Sequence, residues 1–176
     1  QLGRGVPKDP ARAVVLYNRA CDGGFTQSCN TLGVVLADDE GECLTELAAS
    51  VSELGPCLEI GSYCGKSTVY LGAACKAKGN TLYAVDHHRG SEEHQLGEEY
   101  HDADLFDSTN QCMNSFPAFT QTLRRAGLDE CVVPVVASSA LVLQKWQTPL
   151  GMVFVDGGHS HESAMADCVG WAKHIV

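Results

Sequence analysis

The sequence predicts an α/β fold in which a parallel sheet is preceded by a short all-helical segment. From residue 57 onward, short apolar runs alternate with stretches of helical periodicity. Strands that are separated by helices form parallel sheets with right-handed crossovers. A glycine-rich turn also joins the first apolar run directly to a helix, as in doubly wound sheets. The first 40 residues carry helical periodicity alone.

The N-terminal segment predicts a helical hairpin. Residues 9–21 combine Asp9 as a helix cap, a proline in the first turn and an apolar stripe. Gly23 and Gly24 end this helix, and a second amphipathic helix follows over about 26–37. Two helices joined by so short a turn form a hairpin.

The amino-acid sequence of this segment resembles a known repeat. GRGVPKDPARA, followed by LYNRACDGG and then CNTLG, is similar to the Sel1-like repeat in its cysteine-rich bacterial form. The resemblance implies a protein-interaction segment over residues 1–40, in which a Cys21–Cys29 pair ties the two helices together. Two reduced, packed cysteines are the alternative. A single repeat buries its apolar face only by docking on a neighbour.

The remaining elements follow after a short polar break at 38–41. Apolar residues at helical spacing predict a helix over 44–54, closed by Gly55 and Pro56. We expect the strands in the order 3-2-1-4, in a second domain that covers 41–176. The expected strands are 57–60, 81–85, 132–136 and 152–155, and the expected helices are 66–77, about 112–126 and a last one from Ser160.

Composition argues against several classes of partner and site. Twelve Lys and Arg against 22 Asp and Glu give a formal net charge of -10, which repels nucleic acid and anionic lipid surfaces alike. No apolar run approaches the roughly 20 residues that span a bilayer. The nine cysteines are odd in number and include no C-x-x-C pair, so neither a disulfide framework nor a structural zinc site is predicted.

The strongest functional motif is the turn after the first strand, LEIGSYCGKST (58–68). In a doubly wound sheet this turn is a ligand position, because the strand end and the helix N-terminus converge there. Gly61 permits the sharp turn and Gly65 permits close approach of a ligand. Only three residues separate these glycines, which excludes a P-loop, and the third glycine of the dinucleotide fingerprint is missing.

LEIGSYCGKSTVYLG (58–72) resembles the cofactor-binding motif of class I S-adenosylmethionine (SAM) dependent methyltransferases. The similarity is strongest to catechol O-methyltransferase and related small-molecule enzymes. It implies a Rossmann-like doubly wound sheet and SAM as the cofactor. By the resemblance, the residues that line the methionine end of SAM are Glu59, Gly61, Ser62, Tyr63, Gly65 and Ser67.

Two later strand ends supply the rest of the expected cofactor site. Asp86 ends the second strand, where an acidic side chain can accept both ribose hydroxyls. A solvated carboxylate at a strand end is the alternative. His87 sits beside the predicted cofactor. The resemblance places Ser138 and Ser139 against adenine, although small polar residues are also ordinary in a strand-to-helix turn.

The fourth strand runs into VDGGHSHE (155–162), which resembles the D-G-x-H-S turn of many bacterial sugar and small-molecule methyltransferases. In metal-assisted relatives the aspartate binds Mg²⁺, a hard cation that prefers carboxylate oxygen, which would make Asp156 a metal ligand and catalytic residue. His159 is the second catalytic candidate, as a base or a ligand. A surface histidine that caps the next helix is the alternative.

A long acidic segment, 86–107, separates the second strand from the next helix. Loops of this length in compact domains are usually lids or binding segments, so it is the candidate for substrate contact. A solvated acidic insert is the alternative, and we expect that role for His94 and His101.

Together these motifs predict methyl transfer from SAM to an oxygen or nitrogen of a small-molecule acceptor. Complete enzymes of this class have seven strands, so we expect the acceptor pocket to involve strands beyond residue 176. One rival is a Sel1-type interaction module on a non-catalytic Rossmann-like scaffold; another is a dinucleotide ligand, disfavoured by the missing glycine. The cofactor favours a cytoplasmic location, whereas cysteine-rich Sel1-like proteins are often exported.

Overall fold

The computed structural model describes residues 40–91, 94, 95, 97, 102–158 and 160–176. Within it, Leu44–Val176 forms one compact unit. The predicted helical hairpin, the Cys21–Cys29 pair and the Sel1-like domain lie outside the described residues. None of the described helices combines the length and the apolar character needed to cross a bilayer.

The strands of the central sheet are separated by helices along the described chain, except that two short strands also lie between the second and third of them. The helices are α1 (40–50), α2 (Lys66–Ala77), α3 (Phe116–Ala126), α4 (Ser139–Leu143) and α5 (His161–Ala172). The strands are β1 (Cys57–Ile60), β2 (Leu82–Asp86), β3 (Phe106–Asp107), β4 (Cys112–Met113), β5 (Val132–Val136) and β6 (Met152–Val155).

The central sheet has the order β5-β2-β1-β6 with every pair parallel, which confirms the expected order 3-2-1-4. The register aligns Ile60 with Val85 on one side and with Val155 on the other. Asp86 pairs with Val136 in the same way. The carboxyl ends of the four strands therefore lie side by side at one edge of the sheet, where ligands bind in open α/β folds.

Apolar residues pack on both faces of the sheet, as expected for buried parallel strands. On one face, Leu71 of α2 and Phe119 of α3 belong to a cluster that also contains Cys57. On the other face, Leu58 packs in a cluster with Trp171 of α5. Neighbouring residues of β1 thus face opposite layers. Full burial of a side chain such as Leu58 contributes about 1.5–3 kcal/mol.

One expected helix boundary was wrong. The helix predicted from about residue 112 begins at Phe116, and the residues before it form an antiparallel pair in which Phe106 opposes Met113. Pro117 disfavours helical geometry at the residue before it and suits only the first turn, so the helix starts here. The small hairpin of β3 and β4 thereby occupies the end of the acidic segment.

Candidate cofactor site

The turn between β1 and α2 is built on positive-φ residues. Gly61, Tyr63 and Gly65 have φ of 88°, 44° and 89°. A Cβ added to Gly61 would collide with the carbonyl oxygen of Asp156 and lie 2.6 Å from the Cα of Gly157. Only glycine fits, because the turn after β1 touches the turn after β6 at this point.

Asp86 joins the glycine turn to the turn after β2. Its Oδ2 accepts a hydrogen bond from the Tyr63 amide at 2.7 Å, and its Oδ1 accepts one from the His88 amide at 2.7 Å. The first of these bonds supports the left-handed conformation of Tyr63. The Asp86 side chain remains 13% exposed, and each carboxylate oxygen has a second lone pair for a ligand hydroxyl.

Glu59 is completely buried beneath this turn. Its carboxylate accepts hydrogen bonds from the hydroxyls of Ser67 at 2.6 Å and Thr68 at 2.5 Å, which fasten the first turn of α2 to β1. Burial raises the pKa of Glu59 to about 7; the two hydroxyl hydrogen bonds oppose that rise, and the charges of Asp156 and Asp86 add to it. Glu59 therefore holds the loop from behind.

His88 supports the same region from the side of α3. The ring is buried, its Nδ1 lies 2.8 Å from the Ser115 hydroxyl, and it packs against Phe116 and Phe119 with centroids 5.1 Å away. Burial lowers the pKa of His88, while the nearby charge of Asp86 acts against this shift. The sequence does not distinguish this histidine from its exposed neighbour, His87, because both follow the strand directly.

A cavity of about 770 Å³ opens at the carboxyl ends of the strands. Ile60 and Val85 contribute its apolar surface. Its charged lining comes from the carboxylates of Asp86, Asp156 and Asp167, and no Lys or Arg is found among the described residues of the lining. Such a cavity favours a ligand that carries positive charge.

Most of the site residues that the sequence predicts line the cavity, and others do not. His159 lies outside the described residues. The predicted residues that line the cavity are Gly61, Tyr63, Asp86, His87, Ser138, Ser139 and Asp156. The predicted residues that are not part of the lining are Glu59, Ser62, Gly65 and Ser67. Among the latter, the Ser62 hydroxyl is buried without a hydrogen-bond partner in the described part of the chain.

The expectation that His94 belongs to a solvated insert was wrong. His94 is half-buried, lines the cavity and packs against Tyr63, with the two rings tilted and their centroids 5.1 Å apart. Its Nδ1 lies 2.7 Å from the Ser91 hydroxyl. The physical reason is the contact of His94 with Tyr63 of the glycine turn, which local sequence patterns do not predict. His101 lies outside the described residues.

A second feature that the sequence did not reveal is a polar contact between α4 and α5. Ser139 donates a hydrogen bond to Asp167 Oδ1, and the indole Nε1 of Trp171 donates to Ser139 Oγ at 2.8 Å. Asp167 lines the cavity from α5. A single acidic residue in an otherwise apolar stretch of that helix was the available signal.

The described residues do not provide a metal centre around Asp156. No group of three or more His, Cys, Asp or Glu side chains in the described part of the chain has the geometry to hold a metal ion. The Asp156 backbone amide bonds the carbonyl of Ile60 at 2.8 Å, which fixes the turn after β6 at the cavity mouth. The role of Asp156 as a Mg²⁺ ligand stays a prediction.

A parallel doubly wound sheet with an acidic cavity beside a glycine turn defines a Rossmann-like ligand-binding domain. Residues 58–176, more than half of the chain, match the family model described as a methyltransferase domain. The chain therefore belongs to this methyltransferase family.

Several solved structures are similar to this chain. The chain is similar to the O-methyltransferase TomG from Streptomyces achromogenes, solved with SAM, at a TM-score of 0.53 and 20% identity over 78% of this chain and 51% of TomG. It also matches cofactor-bound Rv0187 from MTB at 19% identity (TM-score 0.47, 87% of this chain, 56% of that one). A structure described as a putative O-methyltransferase from Klebsiella pneumoniae matches at 16% identity (TM-score 0.46, 87% of this chain, 56% of that one). The chain spans about half the length of these proteins.

Proposed function

We propose that the chain binds SAM in the acidic cavity and takes part in methyl transfer to an oxygen of a small-molecule acceptor. The observation that carries the proposal is the carboxylate of Asp86, held at the cavity wall beside the glycine turn by the amides of Tyr63 and His88. Membership of the methyltransferase family supports the reaction type. The similarity to TomG, an O-methyltransferase in complex with SAM, supports the cofactor.

The described residues fit each part of this cofactor. Asp86 offers two oxygens to the ribose hydroxyls, and the apolar surfaces of Ile60 and Val85 suit a purine ring. Gly61 and Tyr63 of the glycine turn line the same cavity, and we propose that they lie beside the amino-acid end of SAM.

Charge favours the methyl donor in particular. SAM carries its transferable methyl group on a sulfonium cation, and the cavity presents the carboxylates of Asp86, Asp156 and Asp167. A charge at 4 Å interacts with a fixed opposite charge by about 4 kcal/mol near a protein surface, at an effective dielectric constant of 20. The lining residues therefore hold a cationic ligand more firmly than a neutral one.

The chain contributes to the reaction mainly by positioning. In-line transfer needs the acceptor oxygen and the methyl carbon in contact along one axis, and fixing that geometry lowers the entropic part of the activation barrier. The rigid turn from Gly61 to Gly65 fixes one side of the site. Asp156, at the cavity mouth, is the proposed acceptor of the proton that the substrate hydroxyl loses, and His159 stays a second candidate for that role.

The acceptor enters the cavity, in this proposal, beside Tyr63 and His94, which form one wall of it.

We also propose a cytoplasmic location for the protein. The free thiols of all seven cysteines in the described residues support it.

Calorimetric titration with S-adenosylhomocysteine (SAH) tests the proposal. We expect micromolar binding by the wild-type chain and at least a tenfold weaker affinity for Asp86→Ala, because the mutant loses the hydroxyl acceptors. Asp107→Asn is the matched control, since this carboxylate caps the β3–β4 turn through Thr109 and Asn110. Absence of binding by a folded wild-type sample, or equal losses in both variants, would contradict the proposal.

A further inference from the structure

Asp167 is held in a fixed orientation at the cavity wall. The Ser139 hydroxyl donates to its Oδ1, and the indole N–H of Trp171 in turn bonds that hydroxyl at 2.8 Å. Trp171 is completely buried and packs edge-on against Trp146. The buried indole therefore fixes the serine, and the serine fixes the carboxylate.

The second oxygen of this carboxylate, Oδ2, is directed to the space between the turn after β6 and α5. A Cβ added to Gly157 would come within 3.9 Å of Oδ2, and the glycine itself leaves that approach open. Among the described residues, Ser139 alone hydrogen-bonds the side chain of Asp167. A carboxylate held in this way is an acceptor for a donor that enters from the cavity.

The surrounding lining suits a flat ring. The neighbouring lining residues of α4 and α5, Ala140, Ser163 and Ala166, have short side chains. Ser138, at the start of α4, lines the same cavity. An aromatic base placed between these helices would therefore meet Asp167 as the charged acceptor on its edge.

We propose that Asp167 accepts a hydrogen bond from the exocyclic amino group of adenine and thereby selects 6-amino purines. This inference rests on the proposed SAM function. The adenine amino group is a donor, whereas a 6-oxo purine presents a carbonyl oxygen at that position. The carbonyl would face the Asp167 carboxylate, and a site built to accept from an N–H rejects an analogue that lacks it.

A comparison of two ligands with two proteins tests this role. The ligands are SAH and its 6-oxo analogue, S-inosylhomocysteine, and the proteins are the wild-type chain and Asp167→Asn. We expect wild type to bind SAH at least about tenfold more tightly than the analogue, as for a hydrogen bond to a charged group. In Asp167→Asn the preference falls to within about twofold, because the amide can donate to the 6-oxo group.

Two further variants separate recognition from structural support. Ser139→Ala keeps the Asp167 carboxylate and removes the hydrogen bond that orients it, so we expect a reduced but measurable preference for SAH over the 6-oxo analogue. If Asp167→Asn does not fold, Ser139→Ala takes its place in the comparison. Glu162→Gln changes an exposed acid in the first turn of the same helix and is expected to leave both affinities unchanged.

The outcomes distinguish this inference from the function on which it rests. Equal affinity of wild type for both ligands overturns the role of Asp167 and leaves SAM binding intact. Equal weakening of both ligands in Asp167→Asn assigns Asp167 to structural support alone and also overturns it. Binding of neither ligand by the folded wild-type chain overturns the proposed function and this inference together.

Discussion

Burial sets the surroundings of Glu59. The motif resemblance assigns it to the cofactor, which stays a prediction; the side chain is completely buried and accepts hydrogen bonds from Ser67 and Thr68. A carboxylate in such surroundings is difficult to ionise, and its pKa rises to about 7 in spite of the two hydroxyl hydrogen bonds. We propose that Glu59 is a positioning residue whose charge depends on pH near neutrality.

The raised pKa of Glu59 predicts a pH-dependent stability. Between the ordinary pKa of 4.5 and about 7, the folded chain binds more protons at Glu59 than the unfolded chain does. The stabilisation is thus complete below pH 4.5 and is lost as pH rises to about 7. At about 1.4 kcal/mol per pKa unit, the loss is about 3 kcal/mol.

Urea denaturation of wild type and Glu59→Gln at pH 5 and pH 8 measures this contribution. The neutral amide does not titrate, so we expect a flatter pH profile for the variant, with its largest gain relative to wild type at pH 8. An identical slope for the two proteins would mean that Glu59 does not titrate in this range.

The sequence predicts a site residue correctly where its place at the end of a strand is enough to bring it to the cavity. Asp86 is the last residue of β2 and Ser138 lies two residues after β5, so each reaches the cavity at the carboxyl edge of the sheet. Asp167 and His94 could not be found in this way. Their positions depend on the contact of α5 with α4 and of His94 with Tyr63, and local periodicity predicts neither contact.

Short runs of mainly apolar residues give the clearest signal at the element scale. The bounds of β1, β5 and β6 agree with the sequence prediction, because each is such a run close to polar or turn residues. The two-residue strands β3 and β4 have no such periodicity. Their pairing depends on contacts formed in the folded chain, which explains why the start of a helix was predicted from the sequence at about residue 112.

The contact between the turns after β1 and β6 gives a prediction for Gly61. Alanine at this position has both a positive φ and a collision with the backbone of Asp156. We expect Gly61→Ala to lower the free energy of unfolding by more than about 3 kcal/mol, through strain and overpacking together. Chemical denaturation measures the loss.

Gly79→Ala is the matched control for this prediction. Gly79 also has a positive φ, of 68°, but a Cβ there meets no atom within 4 Å. It should cost only about 1–2 kcal/mol, the strain of the left-handed conformation alone. Equal losses for Gly61→Ala and Gly79→Ala would contradict the close approach of the two turns.

At the scale of the whole molecule, the strand order and the acidic side chains both define one cavity at the carboxyl edge of the sheet. The strand order brings the ends of β1, β2, β5 and β6 to a single edge, and the acidic lining there accords with the net charge of -10. The sequence predicted this architecture because alternating strands and helices leave few topologies open. The sequence could not predict the cavity itself, because its lining combines residues that are distant in the chain, such as His94, Ser139 and Asp167.

Backbone amide NMR during titration with SAH tests the location of the cofactor site most directly. If SAM binds in the acidic cavity, SAH should shift the amides of Gly61, Tyr63, His88 and Ser138, while those of the β3–β4 turn at 108–111 stay unchanged. An absence of shifts in the folded chain, or shifts confined to residues away from the carboxyl edge of the sheet, would contradict it.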